Sequence, residues 1–220
     1  MASQLCIDDN SCLEIYRIKE SRLDHTAEIR QRYGYRNFTD QPEHFQLVRW
    51  LYARAWHDTD RPSVLFDLTT SRLVDSKILL PAASTLTRLI TRVRTRSTER
   101  FYRLIISTIP PELKENLSRL LDVEAETRQT PFDRLRTPPT YLSGPGLVRA
   151  VQRIEETRSL RMTYLPKPKV PLNRIAILSR YTETVKALTV SRMQVERKIA
   201  TLYAFACMVE ATRGRPAPSR

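Results

Sequence analysis

The sequence predicts an all-α protein built as a multi-helix bundle. Three observations favour this class. Glycine accounts for only 4 of the 220 residues. Apolar residues recur mostly at intervals of three and four, which is the period of a helix. The 14 prolines divide the chain into segments of helical length.

The first three helices are predicted over residues 12–32, 40–57 and 62–77. Gly34 follows the first helix, where a left-handed residue costs least. The Asp-Gln-Pro-Glu sequence that begins the second predicts a capping box. Pro62 suits the first turn of the third helix, because its missing N–H has no helical partner there.

The longest helix is predicted over residues 84–109, after Pro81 ends an apolar run, with Ser84 as its cap. Its apolar residues lie on one arc of the helix. The opposite arc carries Arg88, Arg92, Thr95, Glu99 and Arg103, flanked by Thr91 and Arg96. Residues 84–103 contain six arginines and one glutamate, whereas a solvated helix face normally mixes both signs of charge.

Five segments summarise the predicted organisation. They are an unstructured start (1–12), a helical domain (13–121), a linker (122–143), a second helical domain (144–213) and a disordered tail (214–220). The first domain contains a helix-turn-helix at about 62–109. The linker is rich in proline and charge. In the second domain, a polyproline-like spacer separates a helix ending near residue 161 from helices at 172–188 and 191–213.

The charge of the chain indicates a polyanionic partner. Lysine and arginine total 37 against 24 acidic residues, for a net charge of +13. Thirty of the basic residues are arginine, the side chain suited to forked contacts with phosphates and guanine edges. Residues 1–83 carry a net −1 and residues 84–220 a net +14. A field of this sign favours nucleic acid or an anionic membrane.

The segment 65–103 has the pattern of a helix-turn-helix: one helix, a tight apolar connection, and a second helix with an arginine–threonine outer face. In that motif the second helix presents its N-terminal turns to the major groove. We therefore predict base contacts from Thr85, Thr87, Arg88, Thr91 and Arg92, and phosphate contacts from Arg94, Arg96 and Arg103. The alternative is a charged face that is simply solvated.

A second candidate contact is the aromatic turn at residues 33–38. Tyr35 and Arg36 are placed to touch a DNA backbone or to stack on a base, and we include Arg36 among the predicted DNA-binding residues. The alternative, favoured for the aromatic side chains, is that they seal the packing of the first helix on the second.

No catalytic residue, metal site, cofactor or small-molecule substrate is predicted. The sequence lacks H-E-x-x-H, C-x-x-C, G-x-x-x-x-G-K-[ST] and G-x-S-x-G motifs. The three cysteines form no disulfide framework, and Cys207 lies in an apolar run typical of a buried structural thiol. No stretch is apolar enough for a transmembrane helix and the start shows no signal peptide. We expect a cytoplasmic protein.

Several sequence words, in order from Ile15 to Thr212, resemble the N-terminal region of the large bacterial replicative transposases of the Tn-three family. They are AEIRQRYGYRNF (27–38), LVRWL (47–51), RP (61–62), LLP (79–81), TLTRL (85–89), LR (135–136), SGP (143–145) and RY (180–181). RYGYRNF and LLPAASTLTRL are distinctive in combination.

The resemblance implies a helical region, a domain of unknown function by name, that recognises the terminal inverted repeats of a transposon in DNA transposition. Family members are far longer and hold an Asp-Asp-Glu magnesium site in a later catalytic domain. This sequence resembles a transposase truncated before that domain, so we expect no cleavage or joining of DNA by the chain alone. The implied partner is double-stranded DNA at the bacterial nucleoid.

The sequence is also compatible with other functions. The chain is alternatively a non-catalytic interaction or regulatory fragment that pairs with full-length transposase. A membrane-surface binder needs apolar or aromatic residues beside the basic face, yet Trp50 and Trp56 lie in the neutral first part. An autonomous nuclease requires carboxylates that converge only in the folded chain.

Overall fold

The all-α prediction is confirmed in the computed structural model, which describes residues 19–40, 42–57, 60–136, 144–159 and 165–212, and the side chains from residue 23 onward. These described residues form ten helices. They are α1 (Lys19–Tyr33), α2 (Glu43–His57), α3 (Pro62–Asp75), α4 (Ala83–Thr108), α5 (Pro111–Arg119), α6 (Pro131–Arg136), α7 (Gly144–Ser159), α8 (Leu172–Thr184), α9 (Ala187–Ser191) and α10 (Val195–Thr212). The predicted unstructured start and disordered tail lie outside the described residues.

Glycine and proline end and begin the helices where the sequence predicts. Gly34 follows α1 with φ +69°, and its amide donates to the Arg30 carbonyl at 3.0 Å. Pro62 occupies the first turn of α3. The helix α4 begins at Ala83, and the Leu86 amide donates to the Ala82 carbonyl at 3.1 Å. Ser84 therefore lies within the first turn and is not the cap.

The capping box predicted at Asp40 and Glu43 takes another form. The Asp40 carboxylate accepts from the Asn37 amide at 3.1 Å, while the Glu43 carboxylate pairs with the guanidinium of Arg36. The Arg36 guanidinium also donates to the Ser76 carbonyl at 3.2 Å. These side chains thus connect the turn after α1 with the ends of α2 and α3.

The chain divides into two compact units, one of residues 1–52 and 60–93 and the other of residues 53–59 and 94–220. The first unit buries one face of each of α2, α3 and α4. Its buried side chains include Leu47, Leu51, Leu65, Leu73, Leu86 and Ile90. A parallel backbone bridge joins Arg36 to Ile78, so the turn after α1 pairs with the connection between α3 and α4.

The second unit is built around α10. Eight consecutive α10 residues, from Ile199 to Ala206, are buried, which is typical of a helix surrounded by others. Helices α5 and α8 pack against it. The Tyr203 hydroxyl donates to the Pro166 carbonyl at 2.5 Å, which ties the extended, proline-rich spacer to this core.

The described part of the predicted linker, residues 122–136, belongs to the second unit. In the described part of the predicted linker, α6 places Phe132 and Leu135 in the core of the second unit, at 0% and 1% exposure. The Phe132 ring lies 4.3 Å from that of Phe205, centroid to centroid. Proline and charge suggested a linker, but two apolar side chains on one helical turn suffice to anchor this segment.

The helix predicted over residues 172–188 is interrupted. Helix α8 ends at Thr184, Val185 is extended with φ −75° and ψ 141°, and the short α9 begins at Ala187. Extended backbone lets the Val185 side chain enter the core, where it is 7% exposed.

Candidate nucleic-acid interface

The helix α4 buries one face and exposes an arginine-rich one, as the sequence predicts. In the first unit its buried side chains are Leu86, Ile90 and Val93, and in the second Ser97, Phe101 and Ile105. Ser97 is buried without penalty, because its hydroxyl donates to the Ala55 carbonyl at 2.9 Å. Burial of these residues sets which residues of α4 face solvent.

The predicted base-contacting residues lie on the first turns of α4, in the first unit. Arg88, Thr91 and Arg92 are exposed, and their spacing of three and four places them side by side on one strip. Thr87 is also exposed and lies beside Thr91, four residues away, at the edge of this strip. Thr85 is half-buried. The strip formed by Arg88, Thr91 and Arg92 is hereafter called the outer strip.

The predicted phosphate-contacting residues lie further along α4, in the second unit. Arg96 and Arg103 are exposed and Arg94 is half-buried. Arg94 lies on the flank opposite to Arg96, since the two positions are separated by about 160° around the helix. The structure therefore does not bring all three arginines to one face of α4.

These arginines are not neutralised within the part of the chain that the structure describes. Ion pairs there involve Arg32, Arg36, Arg134 and Arg136. No carboxylate of the described residues forms an ion pair with Arg88, Arg92, Arg94, Arg96 or Arg103. The Arg88 Nε donates only a long hydrogen bond, 3.4 Å, to the Ser84 carbonyl. A guanidinium group that has no carboxylate partner keeps its full electrostatic attraction for phosphate.

Arg36, the ninth predicted site residue, has a different environment. Its guanidinium is exposed but is held by Glu43 and by the Ser76 carbonyl. Its backbone is equally engaged, since the Arg36 amide donates to the Lys77 carbonyl at 2.8 Å. The structure therefore gives Arg36 a bracing role in the first unit.

The aromatic turn packs only in part. The Tyr33 side chain is 57% exposed. Phe38 meets the His44 ring edge-on, with centroids 5.0 Å apart, which packs the turn against the start of α2.

The connection between α3 and α4 is longer than the predicted tight turn. It spans residues 76–82, against the roughly three or four residues of a standard helix-turn-helix. Lys77 has φ +52°. The Ile78 amide donates to the Leu73 carbonyl at 2.8 Å and the Lys77 amide to the Val74 carbonyl at 2.9 Å, which is a Schellman motif. The helix-turn-helix assignment stays a prediction.

Sequence reasoning did not find a polar cleft in the second unit, hereafter the α4–α10 cleft. Its volume is about 650 Å³. It is lined by Arg94, Thr95, Thr98, Glu99, Tyr102, Arg103, Gln194, Glu196 and Arg197. Residues 94–103 and 194–197 are distant in the chain, and no local pattern links them.

Three further observations on the described residues concern metal binding, thiol chemistry and membrane spanning. No group of three or more His, Cys, Asp or Glu side chains there is placed to hold a metal ion. Burial raises the pKa of the Cys207 thiol, which disfavours a reactive thiolate. Among the helices that the structure describes, none combines the length and apolar character needed to cross a bilayer.

Comparison with known proteins finds one matching family model and several relatives that are named as transposases. A family described as a domain of unknown function, DUF4158, matches residues 1–93. The chain is 34% identical over 213 residues to the transposase for transposon gamma-delta of Escherichia coli strain K12, covering 96% of this chain and 21% of that protein. The transposase for transposon Tn1546 of Enterococcus faecium is 25% identical over 207 residues, covering 92% and 21%.

A third relative, the transposase for transposon Tn4556 of Streptomyces fradiae, is 39% identical over 77 residues, which is 35% of this chain and 9% of that protein. The chain thus spans about a fifth of the length of the first two relatives.

Proposed function

The homologues of this chain are transposases of the Tn-three family, whose N-terminal part it matches, and we propose that it binds the terminal inverted repeats of a transposon as double-stranded DNA. The observation that carries the proposal is the outer strip, in which Arg88 and Arg92 are exposed beside Thr91 without a carboxylate partner among the described residues. Bidentate guanidinium contacts to guanine edges supply sequence discrimination.

The arginines have different roles in this proposal. Arg88 and Arg92, with Thr85, Thr87 and Thr91 near them in sequence, contact base edges. Arg94, Arg96 and Arg103 contact phosphates, which position the protein on the duplex without selecting a sequence. Arg36 positions the turn after α1, because Glu43 pairs with its guanidinium. The chain acts at the nucleoid of a bacterial cytoplasm.

A binding titration with a labelled inverted-repeat duplex and a scrambled duplex of equal composition tests the proposal. Replacing Arg88 or Arg92 by alanine should cost about 1–3 kcal/mol on the inverted repeat and reduce the preference over the scrambled duplex. Replacing Arg96 should weaken both duplexes equally and lower the salt slope by about one. Equal affinity of the unchanged chain for the two duplexes contradicts sequence-specific binding.

Arg49→Ala is the matched control. Arg49 is an exposed arginine of the first unit that lies on α2, so its removal changes the net charge by the same amount as Arg88→Ala. We expect it to leave the preference for the inverted repeat intact.

We further propose that the chain does not itself cleave or join DNA. Incubation with supercoiled DNA and Mg²⁺ should leave the DNA intact. Nicking that persists through repeated purification and disappears with EDTA contradicts this statement.

A second candidate function is pairing with a full-length transposase, and one observation favours it. The helix α7 exposes Leu147, Val148 and Val151 at 65%, 56% and 47%, while it buries Arg153 and Thr157. An apolar helix face left in water is typical of a protein-binding surface. Co-purification with a full-length relative in the absence of DNA, lost in Val151→Glu, supports this function. No co-purification of the unchanged chain excludes it.

A further inference from the structure

The α4–α10 cleft is too large for a single phosphate group. Its volume of about 650 Å³ lies in the range of pockets that hold small organic ligands, about 300–1,000 Å³. Its half-buried members include Arg94 and Tyr102, while Arg103 and Arg197 are exposed. A ligand of nucleotide size therefore has room for contact with both the inner and the outer part of the cleft.

The cleft carries charges of both signs, and within the described residues these charges are not paired. Three guanidinium groups, of Arg94, Arg103 and Arg197, line it together with the carboxylates of Glu99 and Glu196. Within the described residues none of the five forms an ion pair, whereas Arg134 of the same unit pairs with Glu124 and Glu156. Unpaired charges of both signs suit a ligand that carries an anionic group and N–H donors together.

The two carboxylates discriminate between possible ligands. The backbone of a duplex carries phosphates but no N–H donor, so it would leave Glu99 and Glu196 without a partner. An acidic peptide brings further carboxylates close to these two side chains, which raises the repulsion. An unpaired nucleotide offers a phosphate for the arginines, a ring face for Tyr102, and an exocyclic amino group for a carboxylate, as in the contact of Glu or Asp with the N4 amino group of cytosine.

We propose that the α4–α10 cleft binds an unpaired nucleotide of single-stranded DNA, with a preference for bases that carry an exocyclic amino group. Tyr102 supplies the aromatic surface; the Tyr102 ring lies 5.7 Å from that of Phe101, whose side chain is buried at 2% exposure and supports it. The proposal extends the proposed function, since Arg94 and Arg103 also serve as phosphate contacts there. It does not depend on the outer strip.

The test compares labelled hexanucleotides of deoxycytidine and deoxythymidine by fluorescence anisotropy. Thymine has no exocyclic amino group, so the cytidine strand should bind about tenfold more tightly. The double variant Glu99→Gln/Glu196→Gln should lose most of this preference. Arg197→Gln and Tyr102→Leu should each weaken both strands by about tenfold.

Arg192→Gln is the matched control, because Arg192 is exposed in the same unit, follows α9, and does not line the cleft. It should leave both affinities unchanged. Circular dichroism spectra identical to those of the unchanged chain show that each variant folds. If Tyr102→Leu fails to fold, Arg197→Gln tests the proposal by itself, because the Arg197 side chain is exposed and its replacement should not disturb folding.

Three results overturn the inference: equal binding of the two hexanucleotides, full retention of binding in Arg197→Gln, or deoxycytidine monophosphate binding as tightly as the strand. The last result assigns the cleft to a free nucleotide. The two sites are distinguished by two variants. Arg88→Ala should lose inverted-repeat binding and keep single-strand binding, whereas Arg197→Gln should keep inverted-repeat binding and lose single-strand binding. If the chain binds the single strands as expected but not the inverted-repeat duplex, the proposed function is wrong and the proposal for the cleft still stands.

Discussion

At the scale of single residues, the arginines of this chain occupy two kinds of environment. Arg134 donates to both oxygens of Glu124, at 2.5 and 2.8 Å, and to Glu156. These contacts raise the pKa of the Arg134 guanidinium. Arg88 and Arg92 have no carboxylate partner among the described residues. The first kind stabilises the fold, and the second is available to a ligand.

The Arg134 cluster predicts a pH dependence of stability. Hydrogen bonding from Arg134 lowers the pKa of the Glu124 carboxyl below its ordinary value. A carboxyl group whose pKa is lower in the folded state stabilises the fold above its unfolded pKa, and this contribution is lost as the pH falls through the folded value. Urea midpoints should therefore fall as the pH drops below the ordinary pKa range of a glutamate side chain, and fall less in Arg134→Met. Identical pH profiles for the two chains contradict this assignment.

Arg153 is an exception among the buried residues. It is 7% exposed, and its Nη2 donates to the Thr212 hydroxyl at 3.1 Å. Among the residues that the structure describes, its Nε and Nη1 have no hydrogen-bond partner. Burial lowers the pKa of this guanidinium. Because an unsatisfied buried charge destabilises the fold, Arg153→Met should raise the free energy of unfolding by about 1 kcal/mol. A urea-unfolding series measures it, and a clear loss of stability shows that the guanidinium has a stabilising partner in solution.

At the scale of elements, the end of α3 determines how the chain enters α4. Lys77 adopts a left-handed conformation, φ +52°, which is costly for a residue with a Cβ atom. The Schellman hydrogen bonds at this point close α3, and the Arg36 bridge to Ile78 then orients the connection. This local geometry leads the chain into α4, whose buried face orients the outer strip.

Lys77→Gly should therefore raise the free energy of unfolding by about 0.5–1 kcal/mol, since glycine adopts this conformation without a steric penalty. Lys77→Ala is the control that removes the same charge and keeps the Cβ atom. Thermal unfolding of the three chains measures the difference. Equal stability of the glycine and alanine variants contradicts the strain at this position.

The helix α6 shows how a short element can join a core. Phe132 is fully buried against Phe205, so Phe132→Ala should cost about 3–5 kcal/mol of stability. If this segment were instead an exposed linker, Phe132→Ala would lower the free energy of unfolding by less than about 0.5 kcal/mol. Chemical unfolding, with Val123→Ala as an exposed apolar control, distinguishes the two.

At the scale of the whole molecule, the charge is divided along the chain. Residues 1–83 carry a net −1 and residues 84–220 a net +14. Three phosphate contacts, those proposed for Arg94, Arg96 and Arg103, predict a plot of log affinity against log salt concentration with a slope of about −3 or steeper. Binding titrations between about 50 and 200 mM NaCl measure the slope. A slope near zero contradicts electrostatic binding of DNA.

Local sequence was sufficient to predict the helical class, most helix boundaries and the exposed arginine face of α4. These features depend on interactions between residues three or four apart and on the backbone limits of proline and glycine. The pairing of Arg36 with Glu43 is not contained in any periodic pattern, although both residues were singled out separately.

Tertiary packing alone decided which distant segments meet. The burial of Phe132 beside Phe205, the break at Val185 and the α4–α10 cleft each depend on contacts between residues far apart in sequence. Such contacts arise from complementary shape and burial over the whole core, which a helical repeat does not encode. The periodicity therefore predicted that Arg103 is exposed, and only the fold placed Arg197 in the same cleft.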